Sequence, residues 1–359
     1  MGDNSMNVKS ITKEQWLKDV FPEWGTWLNE EIRDFKVEPG NFSMWWLGTT
    51  GIWVKTPGNA NIAMDYWVGR GRSTHEEPPY EETQDFQMTR MTGGRALPPN
   101  LKAYPTVMDP FEVGKINTLD VLFSTHIHDD HICPYVAAAV VQNTDAPFVG
   151  PQLCVDKWLA IGVPEERCVV VKPGDTYKVG DITVHAVESF DRTALITSPP
   201  TGDLRGKMPV DMDERAVSYV IETPGGQIYH SGDSHYSNGY FKHGKEFDID
   251  VCLVSYGINA PGNMDKVPAS DCLRIAQNLD ARVLIPFHHD TWTNQVPDDH
   301  ELETLWRMNH ERLQFGLFLW KTGAQYVYPR DKDRVRYWYP QGTFDFFTDE
   351  PNIPFPSFL

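Results

Sequence analysis

The stretch Thr125-His126-Ile127-His128-Asp129-Asp130-His131 carries more chemistry than any other in this 359-residue chain. Three histidines and Asp130 fall in the spacing H-x-H-x-D-H. Imidazole and carboxylate are the ligands that suit zinc, manganese and iron. Side chains of an extended segment alternate with period two, so His126 and His128 are expected to point the same way. Asp130 and His131 then turn into the start of a helical run. The spacing predicts two adjacent metals, one held mainly by His126 and His128, the other by Asp130 and His131. A charged loop of satisfied histidines is the plainer alternative, and it leaves the arrangement unexplained.

Further ligands are expected where other short apolar strands end. Asp233 follows the strand Gln227–His230 in Ser231-Gly232-Asp233-Ser234-His235. By itself it would read as an Asx-turn residue capping its own loop. Beside a two-metal motif its two oxygens suit a bridge, and Gly232 allows the tight turn. Pro286-Phe287-His288-His289-Asp290 follows another buried strand; His288 is expected to complete the second site, with His289 beside the substrate. For the first site the candidate is Asp191, in Ser189-Phe190-Asp191-Arg192, with a surface ion pair to Arg192 as its alternative. His185, in the middle of a strand, reads as a core histidine.

The elements that must position these groups follow from apolar patterning. Residues 11–37 read as helical, and 42–55 and 61–67 as hairpin strands. Residues 69–105, rich in Pro, Gly, Arg and Glu, read as a long loop, a kind that is often functional. Leu119–Ser124 is a buried strand that delivers the histidine motif at its end, followed by a helix over 132–142. Strands are expected at 148–150, 169–171, 182–187, 218–222, 227–230, 251–255 and 283–286. Helices are expected within 156–161, over 269–279 and over 301–313. Hairpins first and helix-strand alternation later predict two mixed sheets sandwiched between helices. Ligands at strand ends match where α/β proteins place their sites.

Composition narrows the function. With 32 basic and 50 acidic residues the formal charge is −18, which repels nucleic-acid backbones and anionic membranes at long range. The five cysteines are odd in number and form no C-x-x-C, so free thiols in a reducing compartment are expected. The opening MGDNSMNVKSITKEQW lacks the apolar core of an export signal, and the longest apolar run, 135–141, is too short to span a bilayer. Cytoplasm is the expected location.

With these residues in hand, the chain resembles the metallo-β-lactamase superfamily. His126-x-His128-x-Asp130-His131 matches its metal motif, Asp233 its bridging aspartate, His288 its final histidine and Asp65 its early structural aspartate. The segments WWLGTTGIW, VAAAVVQN, ERCVVVKPGD, FDRTALIT, YHSGDSHYSN and IPFHHD further resemble the L-ascorbate-6-phosphate lactonase family, as do FPEWGTWLNEEI and the closing PNIPFPSFL. Where the superfamily usually supplies a third histidine to the first metal this chain reads Phe190-Asp191-Arg192: either Asp191 substitutes, an oxygen-richer site that would suit manganese, or the first site is weaker.

The resemblance implies an αββα sandwich of two mixed sheets flanked by helices, one domain over residues 1–359 with an N-terminal helical extension and an aromatic C-terminal tail. It implies a cytoplasmic hydrolase that uses one or two divalent ions, Mn2+ or alternatively Zn2+. Such an enzyme opens the lactone of L-ascorbate 6-phosphate to 3-keto-L-gulonate 6-phosphate. Asp130 and Asp233 become the catalytic carboxylates. Arg192, Arg215 and Lys266 become candidates for the substrate phosphate, with Tyr236, Asn238, Asn259 and His289 as further pocket residues. A homo-oligomer is the expected assembly. The alternatives are a small-molecule phosphodiesterase or nuclease on the same fold, and a non-catalytic metal-binding sensor.

Overall fold

Strand β1 (Phe42–Gly48) sends alternate side chains into two different cores. Phe42, Met44 and Trp46 enter one, Trp45 and Leu47 the other, all of them buried. A strand covered on both faces is mostly apolar, as FSMWWLG is, and its one hydroxyl, on Ser43, is buried and accepts from the Gln325 side-chain amide at 2.9 Å. The structure is a computed structural model describing residues 7–20, 27–68, 107–191, 211–257, 266–289 and 297–337.

The first sheet continues through β2 (Gly51–Lys55), β3 (Asn61–Met64), β4 (Val121–Phe123), β5 (Phe148–Gly150) and β6 (Cys168–Val170). It is antiparallel from β1 to β3 and parallel from β3 to β6. The second sheet runs through β7 (Thr176–Val179), β8 (Ile182–Glu188), β9 (Val217–Thr223), β10 (Gly226–His230), β11 (Val251–Ser255), β12 (Val283–Phe287) and β13 (Gly316–Leu317). It too is mixed, antiparallel from β7 to β10 and parallel from β10 to β13. Strand β14 (Gln325–Tyr328) returns to the first sheet beside β1.

Between the sheets lies a core in which Met44, Ile52, Ile62 and Phe123 meet Val184, Ile221, Leu253 and Ile285. The outer face of the first sheet packs on α1 (Lys13–Val20), α2 (Trp27–Asp34), α3 (Pro134–Asn143) and α4 (Gln152–Ala160), through Trp16, Ile32, Val136 and Trp158. The outer face of the second packs on α5 (Tyr240–Glu246), α6 (Ala269–Asn278) and α7 (Asp299–Met308), through Tyr240, Ile275, Leu302 and Trp306. Three apolar interfaces separate four layers, the αββα order that the sequence implied.

Several expectations shift in detail. The helical stretch 11–37 contains two helices, with 21–26 outside the described residues. The helix expected over 301–313 starts at Asp299, where Asp298 caps it, and stops at Met308. There the Asn309 side-chain Nδ2 donates to the Leu305 carbonyl at 2.8 Å and caps the last turn. Strands β7, β13 and β14 and helix α5 were not expected. Strand β7 is an edge with alternating exposed and half-buried residues, so it lacks an apolar run. Helix α5 contains Gly244, whose added Cβ would lie 2.4 Å from the Asn278 carbonyl oxygen, so close packing on α6 dictates the glycine. The loop 69–105 and the aromatic tail lie outside the described residues.

Five strands end beside one another and hand over to the polar residues of interest. Asp65 follows β3, the histidine motif follows β4, Asp191 follows β8, Asp233 follows β10 and His288 follows β12. The five cysteines are free, four buried and Cys168 half-buried, as expected. Among the described residues no helix is long and apolar enough to cross a membrane.

Candidate metal centre

After β4 the chain leaves the sheet in a series of turns, not as the extended segment expected, and reaches the second sheet through a bridge from His126 to Ala216, the Val217 amide donating to the Thr125 carbonyl at 2.9 Å, and the Tyr219 hydroxyl donating to the Ser124 carbonyl at 2.9 Å. The turns still aim His126 and His128 at one point, with His126 Nε2 2.8 Å from His128 Nδ1. Asp191 Oδ2 lies 3.6 Å from His126 Nε2 and Asp233 Oδ2 lies 3.8 Å from it. On the other side of Asp233, Oδ2 is 3.3 Å from His131 Nε2 and Oδ1 is 3.2 Å from His288 Nε2. Asp130 Oδ2 is 3.3 Å from His288 Nε2. Two groups of donor atoms result, His126, His128 and Asp233 in one, Asp130, His131, Asp233 and His288 in the other.

The donor set passes a chemical test for holding cations. Asp130 Oδ2, His131 Nε2 and both oxygens of Asp233 are buried and make no hydrogen bond among the described residues. Buried polar atoms are ordinarily hydrogen-bonded, and charged ones nearly always compensated. Carboxylates and imidazoles that converge without bonding one another are arranged around something else. The far nitrogen of His131 is fixed as metal-ligating histidines usually are: Nδ1 lies 2.9 Å from Asp65 Oδ2 and 2.9 Å from Thr50 Oγ1.

With this geometry in place, comparison with known proteins decides the family. A family model described as a beta-lactamase superfamily domain matches residues 99–289. The chain is 53% identical over 356 residues to "Probable L-ascorbate-6-phosphate lactonase UlaG" of Escherichia coli O45:K1 (strain S88 / ExPEC), covering 98% of this chain and 99% of that protein. The protein of the same name from Escherichia coli O139:H28 (strain E24377A / ETEC) is 52% identical over the same shares.

The chain belongs to the metallo-β-lactamase superfamily.

Two solved structures share the superfamily's fold with this chain. Isothiocyanate hydrolase from Delia radicum gut bacteria superposes with a TM-score of 0.55 at 16% identity, covering 79% of this chain and 98% of that one. Igni18, a metallo hydrolase from Ignicoccus hospitalis KIN4/I, superposes with a TM-score of 0.53 at 16% identity, covering 80% and 98%. At such identity the likeness is one of fold.

Charge in this superfamily centre is strongly polarised. Burial pushes the His126 imidazolium well below its ordinary pKa, and His131 and His128 reinforce the shift. Burial acts on His131 and His288 in the same direction, but the Asp233 carboxylate and its neighbours outweigh it and raise both. Burial would raise Asp130 and Asp233; the imidazolium charges of His131 and His288 more than reverse this, so both carboxyls are ionised.

All seven residues expected as ligands converge here. The expected pocket residues divide. Arg215 is fully buried and precedes Ala216, whose backbone bridges to His126. Lys266 is 4% exposed and near enough to His288 to oppose its positive charge. His289 is buried between the rings of Trp46 and Tyr256, with centroids at 5.2 and 5.8 Å. Tyr236 takes a different place. Its ring lies under the Arg274 guanidinium at 3.8 Å, and its hydroxyl is engaged by Asn238 and Asn278, which draws it towards α6. Arg192 and Asn259 lie outside the described residues. His185 is a half-buried cross-strand partner of Glu222 at 3.1 Å, not a core histidine.

Sequence reasoning missed the residues that hold Asp191. The Phe190 amide donates to Ser234 Oγ at 2.9 Å, and the Phe190 ring packs on Tyr240 and His243. Gly239 makes room for it, since an added Cβ would stand 2.3 Å from Phe190 Cζ. Gly239→Ala is therefore expected to displace Phe190 and, with it, Asp191. The cost should be about 1–3 kcal/mol in urea unfolding, together with weaker metal uptake by the His126 group. Unchanged stability and unchanged uptake would dismiss this role for Gly239. The only signal in the sequence was a glycine that no turn required.

Proposed function

We propose that this chain is a divalent-metal-dependent lactonase that opens L-ascorbate 6-phosphate to 3-keto-L-gulonate 6-phosphate. The observation that carries the reading is the buried convergence of four imidazoles and three carboxylates, in which Asp130 Oδ2, His131 Nε2 and both Asp233 oxygens make no hydrogen bond among the described residues, in a chain 53% identical to proteins given that name. His126, His128, Asp191 and Asp233 would hold one cation, and Asp130, His131, Asp233 and His288 the other. Such cations supply Lewis acidity to the lactone carbonyl and lower the pKa of water towards neutrality. Three carboxylates among seven ligands favour Mn2+ over Zn2+.

Hydrolysis adds a water oxygen to the carbonyl carbon, breaks the bond from that carbon to the ring oxygen, and returns a proton to the ring oxygen. Asp130, at 5% the most exposed carboxylate of the set, is the proposed carrier of that proton from the attacking water. The substrate is a dianion at its phosphate end, and Lys266 and Arg215 are the described cations buried beside the ligands. His289, held between Trp46 and Tyr256, is the proposed contact for the lactone ring. A cytoplasmic location and a homo-oligomeric assembly complete the reading, and the charge of −18 argues against a polynucleotide substrate.

The test supplies purified protein and Mn2+ with L-ascorbate 6-phosphate and follows loss of its ultraviolet absorbance, before and after chelation, beside a generic phosphodiester. Lactone loss that stops on chelation and returns with Mn2+ is expected. Rapid diester cleavage without lactone opening would replace the proposal with a phosphodiesterase. Because metal binds only the folded chain, the melting temperature should also fall on chelation.

A further inference from the structure

The β1–β2 turn touches every arm that carries a ligand of the second group. Thr49 Oγ1 donates to the Asp130 carbonyl at 3.4 Å. Thr50 Oγ1 lies 2.9 Å from His131 Nδ1 and 2.9 Å from Asp65 Oδ2. The Thr49 carbonyl accepts from the His288 amide at 3.0 Å and from the Trp46 indole at 2.9 Å. The Thr50 carbonyl lies 2.8 Å from His230 Nε2, and His230 Nδ1 accepts at 3.2 Å from the amide of Gly232, the residue before Asp233. His230 is fully buried and is no part of either donor group.

Strain marks the same place. Thr49, Asp65 and His288 all have positive φ, at 48°, 46° and 64°. A β-branched residue in the left-handed region is uncommon and persists only where its surroundings over-determine it. Here the turn belongs to the first sheet, whereas His230 and His288 end strands of the second. Two threonines thus set the separation of the two sheets at the point where the ligands from each must meet.

We infer that the Thr49-Thr50 turn is the positioning template of the Asp130–His131–Asp233–His288 site, with the Thr50 hydroxyl as its decisive group. That hydroxyl donates to the Asp65 carboxylate and accepts from His131 Nδ1–H, so it helps hold the His131 tautomer whose Nε2 lone pair faces the site. The Thr50 hydroxyl makes no direct bond to the other group, whose His126 Nδ1 is met by Thr125 Oγ1 at 3.0 Å and whose Asp191 amide is met by Ser189 Oγ at 3.3 Å; Asp233 is the ligand the two groups share. The inference rests on the metal reading proposed above and makes one claim beyond it, that loss of a single hydroxyl weakens one site selectively.

The experiment compares wild type, Thr50→Val and Thr50→Ser as full-length protein, titrated with Mn2+ against a competing chelator, with bound metal counted per chain. The side-chain nitrogen NMR signals of His131 report its tautomer. Thr50→Val is expected to bind one of the two equivalents about 10–100-fold less tightly, the range for losing an outer partner of a ligating histidine. The other equivalent should keep its affinity, with no loss approaching that range. Thr50→Ser, which keeps the hydroxyl, should restore both. If Thr50→Val does not fold, Thr50→Ala removes the same hydroxyl with a smaller side chain and gives the same readout. Both equivalents unchanged, or both weakened together with no rescue by serine, overturns the inference. A wild-type chain that takes up no metal removes the metal reading itself, so the two failures look different.

Discussion

Asp233→Asn is expected to give a folded protein that has lost turnover and at least one metal equivalent. Each oxygen of Asp233 faces a different imidazole: Oδ2 lies 3.3 Å from His131 Nε2 and 3.8 Å from His126 Nε2, and Oδ1 lies 3.2 Å from His288 Nε2. Asparagine preserves the shape and removes the charge, and one of its two ends becomes a donor pointing at atoms that themselves await a cation. A neutral amide cannot bridge two divalent ions. The loss in turnover should be no smaller than the roughly 10²–10³-fold that follows removal of one charge-stabilising group from an active site. The metal-free variant should melt below metal-free wild type, because it loses a buried carboxylate whose charge offsets those of His131 and His288. The part of the melting temperature that depends on metal should shrink. Metal counting by mass spectrometry, melting with and without chelator, and the lactone assay are the measurements. Full turnover with two metals bound would sink the bridging role.

The parts of this molecule that could be read from its sequence are those whose meaning is local. The H-x-H-x-D-H run announces its candidate ligands because they fall within six positions of one another, and no fold is needed to see them. Asp191, Asp233 and His288 were legible as candidates for a related reason: each follows a strand, and strand ends are where α/β proteins gather polar groups. Buried strands such as Val251–Ser255 and Val283–Phe287 announce themselves by unbroken apolar runs. The edge strand Thr176–Val179 does not, since water covers part of it.

What escaped is chemistry assembled across long separations by residues ordinary in themselves. Thr50 and His131 are 81 positions apart, and Thr50 and His230 are 180 apart. The turn Gly48-Thr49-Thr50-Gly51 reads as a glycine-bounded reversal, which it is, and nothing nearby says that its hydroxyls and carbonyls serve another sheet. Gly239 is silent until Phe190 is placed against it. Tyr236 misled in the opposite direction, because nearness in sequence to Asp233 suggested a place in the pocket while Arg274 and Asn278 draw its side chain to α6. Ligands are specified by type, whereas the groups that orient them are specified by position.

Asp65→Asn separates these two kinds of specification. The Asp65 carboxylate is fully buried; its Oδ1 accepts from the Thr125 amide at 2.8 Å. Its Oδ2 accepts from Thr125 Oγ1 at 2.7 Å and Thr50 Oγ1 at 2.9 Å, and lies 2.9 Å from His131 Nδ1. Burial would raise its pKa, but His131 outweighs burial and lowers it, so the group is ionised and His131 presents Nδ1–H to it. Asparagine tolerates the positive φ of 46° at this position, so the backbone should survive the change. Its amide nitrogen, however, would meet hydroxyl and imidazole donors where an acceptor stood. His131 is then driven to the other tautomer, with a proton on Nε2 and no lone pair for a cation.

The expected result is a second-site affinity lower by about 10–100-fold, with turnover falling in parallel. Loss of charge-assisted bonds in a buried position should also cost about 1–3 kcal/mol of stability. The sign of the pH dependence follows from the lowered pKa. Wild type gains stability from Asp65 above the ordinary carboxylate range of about pH 4 and loses it as pH falls towards the folded-state value. The variant should lack that acid limb. Metal titration, nitrogen NMR of His131 and urea unfolding between neutral and acidic pH measure the three effects. An unchanged tautomer with undiminished affinity would mean that Asp65 merely fills space beside the site, and that His131 is oriented by Thr50 alone.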